Sequence, residues 1–223
     1  MTAMTERDLK LVVASSPHVH SPLSTQKIMG LVIAALLPAG AAGVHFMGWR
    51  ALVVIAVCVA ASVAAEYLWQ RATGQRVTVS DLSAVVTGLL LAYNLPPSVP
   101  LWMAACGAVF AIIVVKQFFG GIGGNVMNPA LAARAMMLIS WPVAMTDWSL
   151  DGVSTATPLA AMKALSGAGA SAAPGPSCST ADLLLGNVGG CIDETSAALL
   201  LLGGAFLVWQ EVISWRIPVI YTL

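Results

Sequence analysis

Two uninterrupted apolar stretches constrain this chain more than anything else in it. Residues 28–48 (IMGLVIAALLPAGAAGVHFMG) carry no charge, and residues 51–69 carry one, Glu66. Each is close to the ~20 residues an α-helix needs to cross a bilayer core. The rest of the composition agrees. Only 9% of the 223 residues are charged and 58% are apolar or aromatic, against about 25% charged in an ordinary soluble domain. Ten basic and ten acidic residues cancel, so no net charge recruits nucleic acid. Seven Trp against three Tyr accord with anchoring at a lipid interface. Soluble enzyme classes are excluded, and the chain reads as an all-α polytopic membrane protein.

Residues 1–26 contain Glu6, Arg7, Asp8 and Lys10 without an apolar core of the signal-peptide kind, so they read as a cytoplasmic leader. Residues 27–146 then supply five membrane helices. The first is 28–48, with Pro38 an expected kink, and the second is 51–69, with Glu66 at its interfacial end. The third, 82–95, is only 14 residues long and is closed by Pro96-Pro97, so it reads as a short or broken span. The fourth, 99–115, ends at Lys116. A glycine turn, Gly120-Gly121-Ile122-Gly123-Gly124, opens a re-entrant stretch over 120–128 that a straight helix would not adopt. Asn128-Pro129 restarts the fifth helix as N-cap and first helical residue, expected to run through Met145. Residues 196–215 form a sixth crossing. Arg216–Leu223 reads as the opening of a seventh, with further helices expected beyond it.

With the N-terminus inside and six crossings, Arg7, Lys10, Lys27, Arg71, Arg76, Lys116 and Arg216 fall inside, whereas Arg50 and Lys163 fall outside. Seven against two is the bias expected of cytoplasmic loops. It places the 49 residues from Asp147 to Thr195 on the outer face. A connection that long is the first place to look for function.

Few side chains offer chemistry. His18 and His20 lie in the leader and His45 near the outer end of the first span, with no spacing that suggests a metal. Cys58 and Cys106 are intramembrane fillers by default. Cys178 and Cys191 share the outer segment, where a disulfide and two thiols are equally open readings. The glycine turn lacks the Lys-Ser/Thr of a phosphate-binding loop. It aims the N-terminus of the fifth helix into the protein at membrane depth, which makes Gly124, Asn125 and Asn128 candidates for contact with a polar cofactor edge. Asn128-Pro-Ala130 is similar to the water-channel signature, but those channels use two copies and this chain has one. Arg134 lies about 9 Å into the fifth helix at 1.5 Å per residue, placed either to snorkel or to act in transport. Asp81 reads as an N-cap. Glu66, Asp81, Arg134 and Glu211 are the ionisable groups in or at the edge of spans, and no ion path is legible among them.

The sharpest feature is Asp151-Gly-Val-Ser-Thr-Ala-Thr-Pro-Leu159. Thr157-Pro158 has the form of a helix start, which leaves Asp151, Gly152, Ser154 and Ala156 unexplained. The run Asp151-Gly152-x-Ser154-x-Ala156-Thr157 resembles the flavinylation motif of the RnfD/NqrB family, with Thr155 standing where that family often has Gly. Three more blocks resemble the same family in the same order. They are Ser15-Ser-Pro-His18 with Thr25–Met29 and Ala35–Ala39, then Asp81–Leu91 with Leu95-Pro-Pro97, then Lys116–Leu131. NqrB members carry a longer N-terminal region, so RnfD is the nearer likeness.

That resemblance implies a membrane subunit of the Rnf complex, which couples electron transfer between ferredoxin and NAD to movement of Na⁺ or H⁺. It implies FMN joined through a phosphoester to Thr157, with residues 151–156 as the recognition motif and a flavin transferase installing it. It also implies a non-covalent riboflavin in the membrane part, for which Gly124, Asn125 and Asn128 are the candidates. The implied partners are other Rnf subunits, including a second flavin subunit and iron–sulfur subunits, in a bacterial cytoplasmic membrane. The alternatives are an NqrB-like subunit of a Na⁺-translocating NADH:quinone reductase and, in another class, a channel or transporter with broken helices.

Overall fold

The computed structural model describes residues 24–147, 149–150, 153–154, 190–192 and 196–222. Helix α1 spans Thr25–Met47 and α2 spans Trp49–Ala72, joined by Gly48 at φ 78°. At 23 and 24 residues, both are long enough to cross a membrane. A 3₁₀ turn, Val79–Asp81, leads into α3, Ser83–Tyr93. Helix α4, Leu101–Phe110, continues without a break into a π-helical stretch, Ala111–Gln117. Helix α5 is Pro129–Ser140, α6 is Pro142–Met145, α7 is Ala197–Trp209 and α8 is Arg216–Thr222. The strands among the described residues are two-residue pieces, β1 (Ser149–Leu150) and β2 (Val153–Ser154), paired antiparallel. The protein is an all-α polytopic membrane protein, with two long apolar helices and several shorter ones.

Helix α3 is the centre of the bundle. Nine of its eleven residues are buried, as expected of a helix apolar on every face. Eleven residues rise about 16 Å, roughly half a bilayer core, which confirms the short third span. Such a half-span survives because protein surrounds its ends. Small residues let its neighbours approach. A Cβ on Gly88 would lie 2.8 Å from Val59 Cα and 2.9 Å from the Cys58 carbonyl on α2. One on Gly40 of α1 would overlap the Tyr93 hydroxyl, which donates to the Leu36 carbonyl at 2.9 Å. Gly203 lets α7 lie against the backbone of α1 at Ala35. Association through small residues is how helices pack where lipid removes the hydrophobic driving force. The large exposed side chains, among them Leu37, Leu52, Ile139, Leu201 and Trp209, face outward, as a lipid-facing surface requires.

The boundaries depart from the sequence reading in two places. The fifth helix ends at Ser140, and Trp141 (φ −136°, ψ 63°) separates it from α6, because the residue before Pro142 is pushed out of the α region. The sixth helix stops at Trp209, and residues 210–215 are turn and bend. Helix α1 runs through Pro38 as one helical element.

Introducing Gly88→Ala is expected to cost about 1–3 kcal/mol by overpacking α2 against α3, read as a lowered unfolding midpoint in detergent. Gly204→Ala on α7, where nothing lies within 4 Å of an added Cβ, should leave the midpoint unchanged or raise it.

Candidate functional site

The bundle has two polar ends, and each joins residues distant in sequence. At the first, Glu66 of α2 and Lys116 of the π-helical stretch are 1% and 2% exposed. Lys116 Nζ donates to Glu66 Oε1 at 2.8 Å and Oε2 at 3.0 Å, and to Ser83 Oγ at 2.5 Å. Glu66 Oε1 also accepts from Gln117 Nε2 at 2.9 Å and Gln70 Nε2 at 3.2 Å. Burying two charges is costly unless every donor and lone pair is occupied, and here all three ammonium protons find oxygen. The i→i+5 bonding of the π segment puts more residues in each turn than an α-helix does. Successive side chains are therefore separated by a smaller angle, and adjacent Lys116 and Gln117 both reach one carboxylate.

Further bonds behind this cluster hold it in place. The Asp81 carboxylate accepts from the Ser83 N–H at 2.9 Å and the Ser83 hydroxyl at 2.7 Å. The N-cap of α3 is Leu82, at φ 64°, so the expectation that Asp81 is the cap is corrected: Asp81 ends the preceding 3₁₀ turn, and its carboxylate ties Ser83 to the ion pair. The Gln70 amide exchanges two bonds with Thr78, each 2.8 Å. A cavity of about 340 Å³ opens beside the cluster, bordered by Glu66, Gln70, Arg76, Asp81, Gln117 and Gly121. The placement of Glu66 at an interface and of Lys116 as a cytoplasmic flank is therefore corrected: both are inside the protein. Their pairing across 50 residues left no local pattern to read.

The glycine turn adjoins this end. Gly120, Gly121 and Gly123 have φ of 97°, 89° and 86°, a conformation that side chains with a Cβ avoid. Gly124 packs so closely on the Phe119 carbonyl that a Cβ would overlap it. Asn128 caps α5 as expected, its side chain accepting from Ala130 N at 3.0 Å and Leu131 N at 3.5 Å. Asn125 Oδ1 is buried without a hydrogen-bond partner among the described residues, and so is Trp69 Nε1. Trp69 lies in α2 with its ring 5.2 Å from that of Phe118. Orphaned buried polar atoms of this kind call for a ligand or water. Of the three candidates at the turn, Asn125 has the unclaimed acceptor, and Asn128 Oδ1 is committed to the cap.

At the opposite end, the loop after α3 gathers the chain. Asn94 donates to the Leu90 carbonyl at 2.8 Å and accepts from Arg134 Nη1 at 2.7 Å. Arg134 therefore reaches inward to α3. The Cys191 thiol donates to the Asn94 carbonyl at 3.4 Å, and the Ile192 N–H to that of Leu95 at 3.2 Å. Arg50 donates to the carbonyls of Pro97 and Ser98 at 2.9 and 3.1 Å, and Ser98 Oγ donates to that of Asp147 at 2.9 Å. Both ends of the segment 147–192 are thus fixed on residues 94–98.

Ser154 pairs with Ser149 in the β1–β2 hairpin. The two residues between the strands are Asp151 and Gly152, a dipeptide favoured in two-residue hairpin connections. Asp151, Gly152, Thr155, Ala156, Thr157 and Cys178 lie outside the described residues, as do His18 and His20. His45 is exposed and contacts Phe46. Glu211 stands at φ 57° in the exposed turn after α7.

Removing one partner of the buried pair leaves the other charge uncompensated. Lys116→Met is expected to cost about 3–5 kcal/mol, seen as a large fall in the detergent unfolding midpoint. Glu66→Gln combined with Lys116→Met should recover a substantial part of it.

Comparison with known proteins gives these features a context. Residues 12–223 match the NQR2, RnfD, RnfE family. The chain is 50% identical over 222 residues to a subunit of the Na(+)-translocating ferredoxin:NAD(+) oxidoreductase complex of Acetobacterium woodii, covering 97% of this chain and 68% of that one. It is 41% identical over 228 residues to a subunit of the proton-translocating ferredoxin:NAD(+) oxidoreductase complex of Clostridium ljungdahlii, covering 97% and 69%. A subunit of the ion-translocating oxidoreductase complex of Salmonella newport is 35% identical over 249 residues, covering 95% and 70%. On this similarity along its length, the chain belongs to the NQR2, RnfD, RnfE family.

Proposed function

We propose that the chain is a membrane electron-transfer subunit of a complex that couples ferredoxin:NAD oxidoreduction to translocation of Na⁺ or H⁺. The observation that carries this reading is the 50% identity to a subunit of that description across 97% of the chain. The partners are the other membrane and peripheral subunits of such a complex, among them iron–sulfur subunits and a second flavin subunit. The setting is a bacterial cytoplasmic membrane. Withdrawing buried Lys116 from the seven inside bases leaves six against two, so the basic residues still favour a cytoplasmic N-terminus and an outer 147–195 segment.

The flavin chemistry rests on Asp151-Gly-Val-Ser-Thr-Ala-Thr157, which supports FMN esterified to Thr157 by a separate transferase. When bound, FMN exchanges electrons singly or in pairs and so links one-electron to two-electron partners. The chain supplies position. Ser98 holds the Asp147 carbonyl while Arg50 holds that of Ser98, and Ser149 pairs with Ser154, three residues before Thr157. A non-covalent flavin is assigned to the glycine turn, where the Asn125 acceptor is unclaimed and the 340 Å³ cavity borders Gly120–Ile122. The Glu66–Lys116 cluster is the best-supported seat of ion coupling, because intramembrane charges mark ion and proton routes.

Thr157→Ala should abolish flavin fluorescence of the denatured band in a gel while the subunit still inserts, and a band that stays fluorescent refutes attachment there. Asn125→Leu should reduce the flavin released on denaturation, quantified chromatographically, with the covalent band unchanged. Equal release from Asn125→Leu and wild type would move the second flavin elsewhere.

A further inference from the structure

At the Arg50 end, between α4 and the α5–α6 junction, lies a cavity of about 670 Å³ whose lining includes Met103, Ser140, Trp141, Val143, Thr146 and Asp147. Its volume falls within the ~300–1,000 Å³ of small-molecule sites. The lining combines apolar and aromatic side chains with hydroxyls and a carboxylate. The Trp141 indole is held by an edge-on contact with Trp102, with ring centroids 5.3 Å apart and planes at 83°. The Thr146 hydroxyl is committed to the Pro142 carbonyl at 2.8 Å, and that of Ser140 has a weak sulfur contact at 3.6 Å with Met136. The groove on α2 and α4 differs. Ala61, Ala64, Ala65, Leu68 and Ile113 make it apolar nearly throughout, as lipid chains require.

We propose that this cavity seats the isoalloxazine ring of the flavin carried at Thr157, with Trp141 as its aromatic wall and Ser140 as a hydrogen-bonding group. The inference rests on the covalent-flavin reading above. Such a ring is planar, with an apolar benzenoid edge and a hydrogen-bonding pyrimidine edge, and the cavity offers both kinds of surface. Placement follows from the chain itself. Asp147 lines the cavity, and its carbonyl is held by Ser98, whose own carbonyl is held by Arg50. Ser154 is paired with Ser149, two residues beyond Asp147. From Ser154, three residues reach at most about 10 Å to Thr157. Thr157 follows the cavity-lining Asp147 by ten residues, and the ribityl phosphate of the flavin adds its own length to that tether.

The test is flavin fluorescence of the assembled complex from a host with flavin transferase, with the signal of Thr157→Ala subtracted to isolate the covalent flavin. A tryptophan in van der Waals contact quenches an excited flavin by electron transfer, and phenylalanine does not. Trp141→Phe should therefore keep the denatured band at wild-type intensity while the native covalent flavin brightens several-fold. Trp102→Phe, which alters the neighbour outside the cavity wall, should brighten it far less. An intact band with unchanged native fluorescence in Trp141→Phe overturns the seat and leaves the covalent flavin standing. Equal brightening in both variants also overturns it, because the effect is then global. A wild-type complex without a fluorescent band overturns the covalent-flavin reading itself. Loss of a tightly bound lipid from Trp141→Phe, with native fluorescence unchanged, would assign the cavity to lipid instead.

Discussion

The buried pair of Glu66 and Lys116 sets the terms for the rest of this bundle. Two charges inside a low-dielectric interior are tolerable only when geometry and further hydrogen bonds offset their desolvation. Meeting that condition commits Gln70, Ser83 and Gln117 to one carboxylate and one ammonium, and it draws in Asp81 and Thr78 behind them. It also accounts for the departure of residues 111–117 from α-helical winding. The wider turn puts Lys116 and Gln117 on the same side, facing α2. π-helical turns concentrate at functional sites, and this one carries Lys116 of the charge pair. The pair joins α2, the start of α3 and the π stretch at one end of the protein. Between that end and the other, alanine and glycine at the helix contacts let larger buried side chains such as Leu89, Leu91, Tyr93 and Met137 pack.

The opposite end solves a different problem by similar means. Helix α3 stops halfway across a bilayer, leaving carbonyls that lipid cannot satisfy. Asn94, Cys191 and Ile192 meet that need from within the protein, and Arg134 fixes Asn94. Arg50 draws the Pro97–Ser98 carbonyls onto the start of α2, and Ser98 holds Asp147. A short central helix therefore makes a rigid platform at its end, and the platform grips both ends of the segment that bears Thr157. The same economy of charge that identified a membrane protein leaves arginines free for such backbone contacts.

Much of this was legible residue by residue. Asn128-Pro129 announced a capped helix start, and the 14-residue third stretch announced a half-span. These are local signals, carried by caps, prolines and length. The break at Trp141 was also present in the sequence, in Pro142, but the apolar run on either side masked it. The ion pair was not legible, because its members stand 50 residues apart on helices without an amphipathic period. Nor was the inward course of Arg134, since snorkelling and pairing look alike until Asn94 is placed beside it. The flavin motif belongs to a third kind: Asp151-Gly152 carries a turn signal, but Ser154-x-Ala156-Thr157 has meaning only by resemblance.

The central proposal is that the segment 147–195 of this charge-poor chain carries a flavin on Thr157. The most direct measurement is intact mass of the purified chain from a host with flavin transferase, followed by tryptic mapping. One FMN less one water should be gained, located within the peptide Ala135–Lys163 at Thr157. An unmodified mass from that host, or an adduct on another residue, would contradict the account.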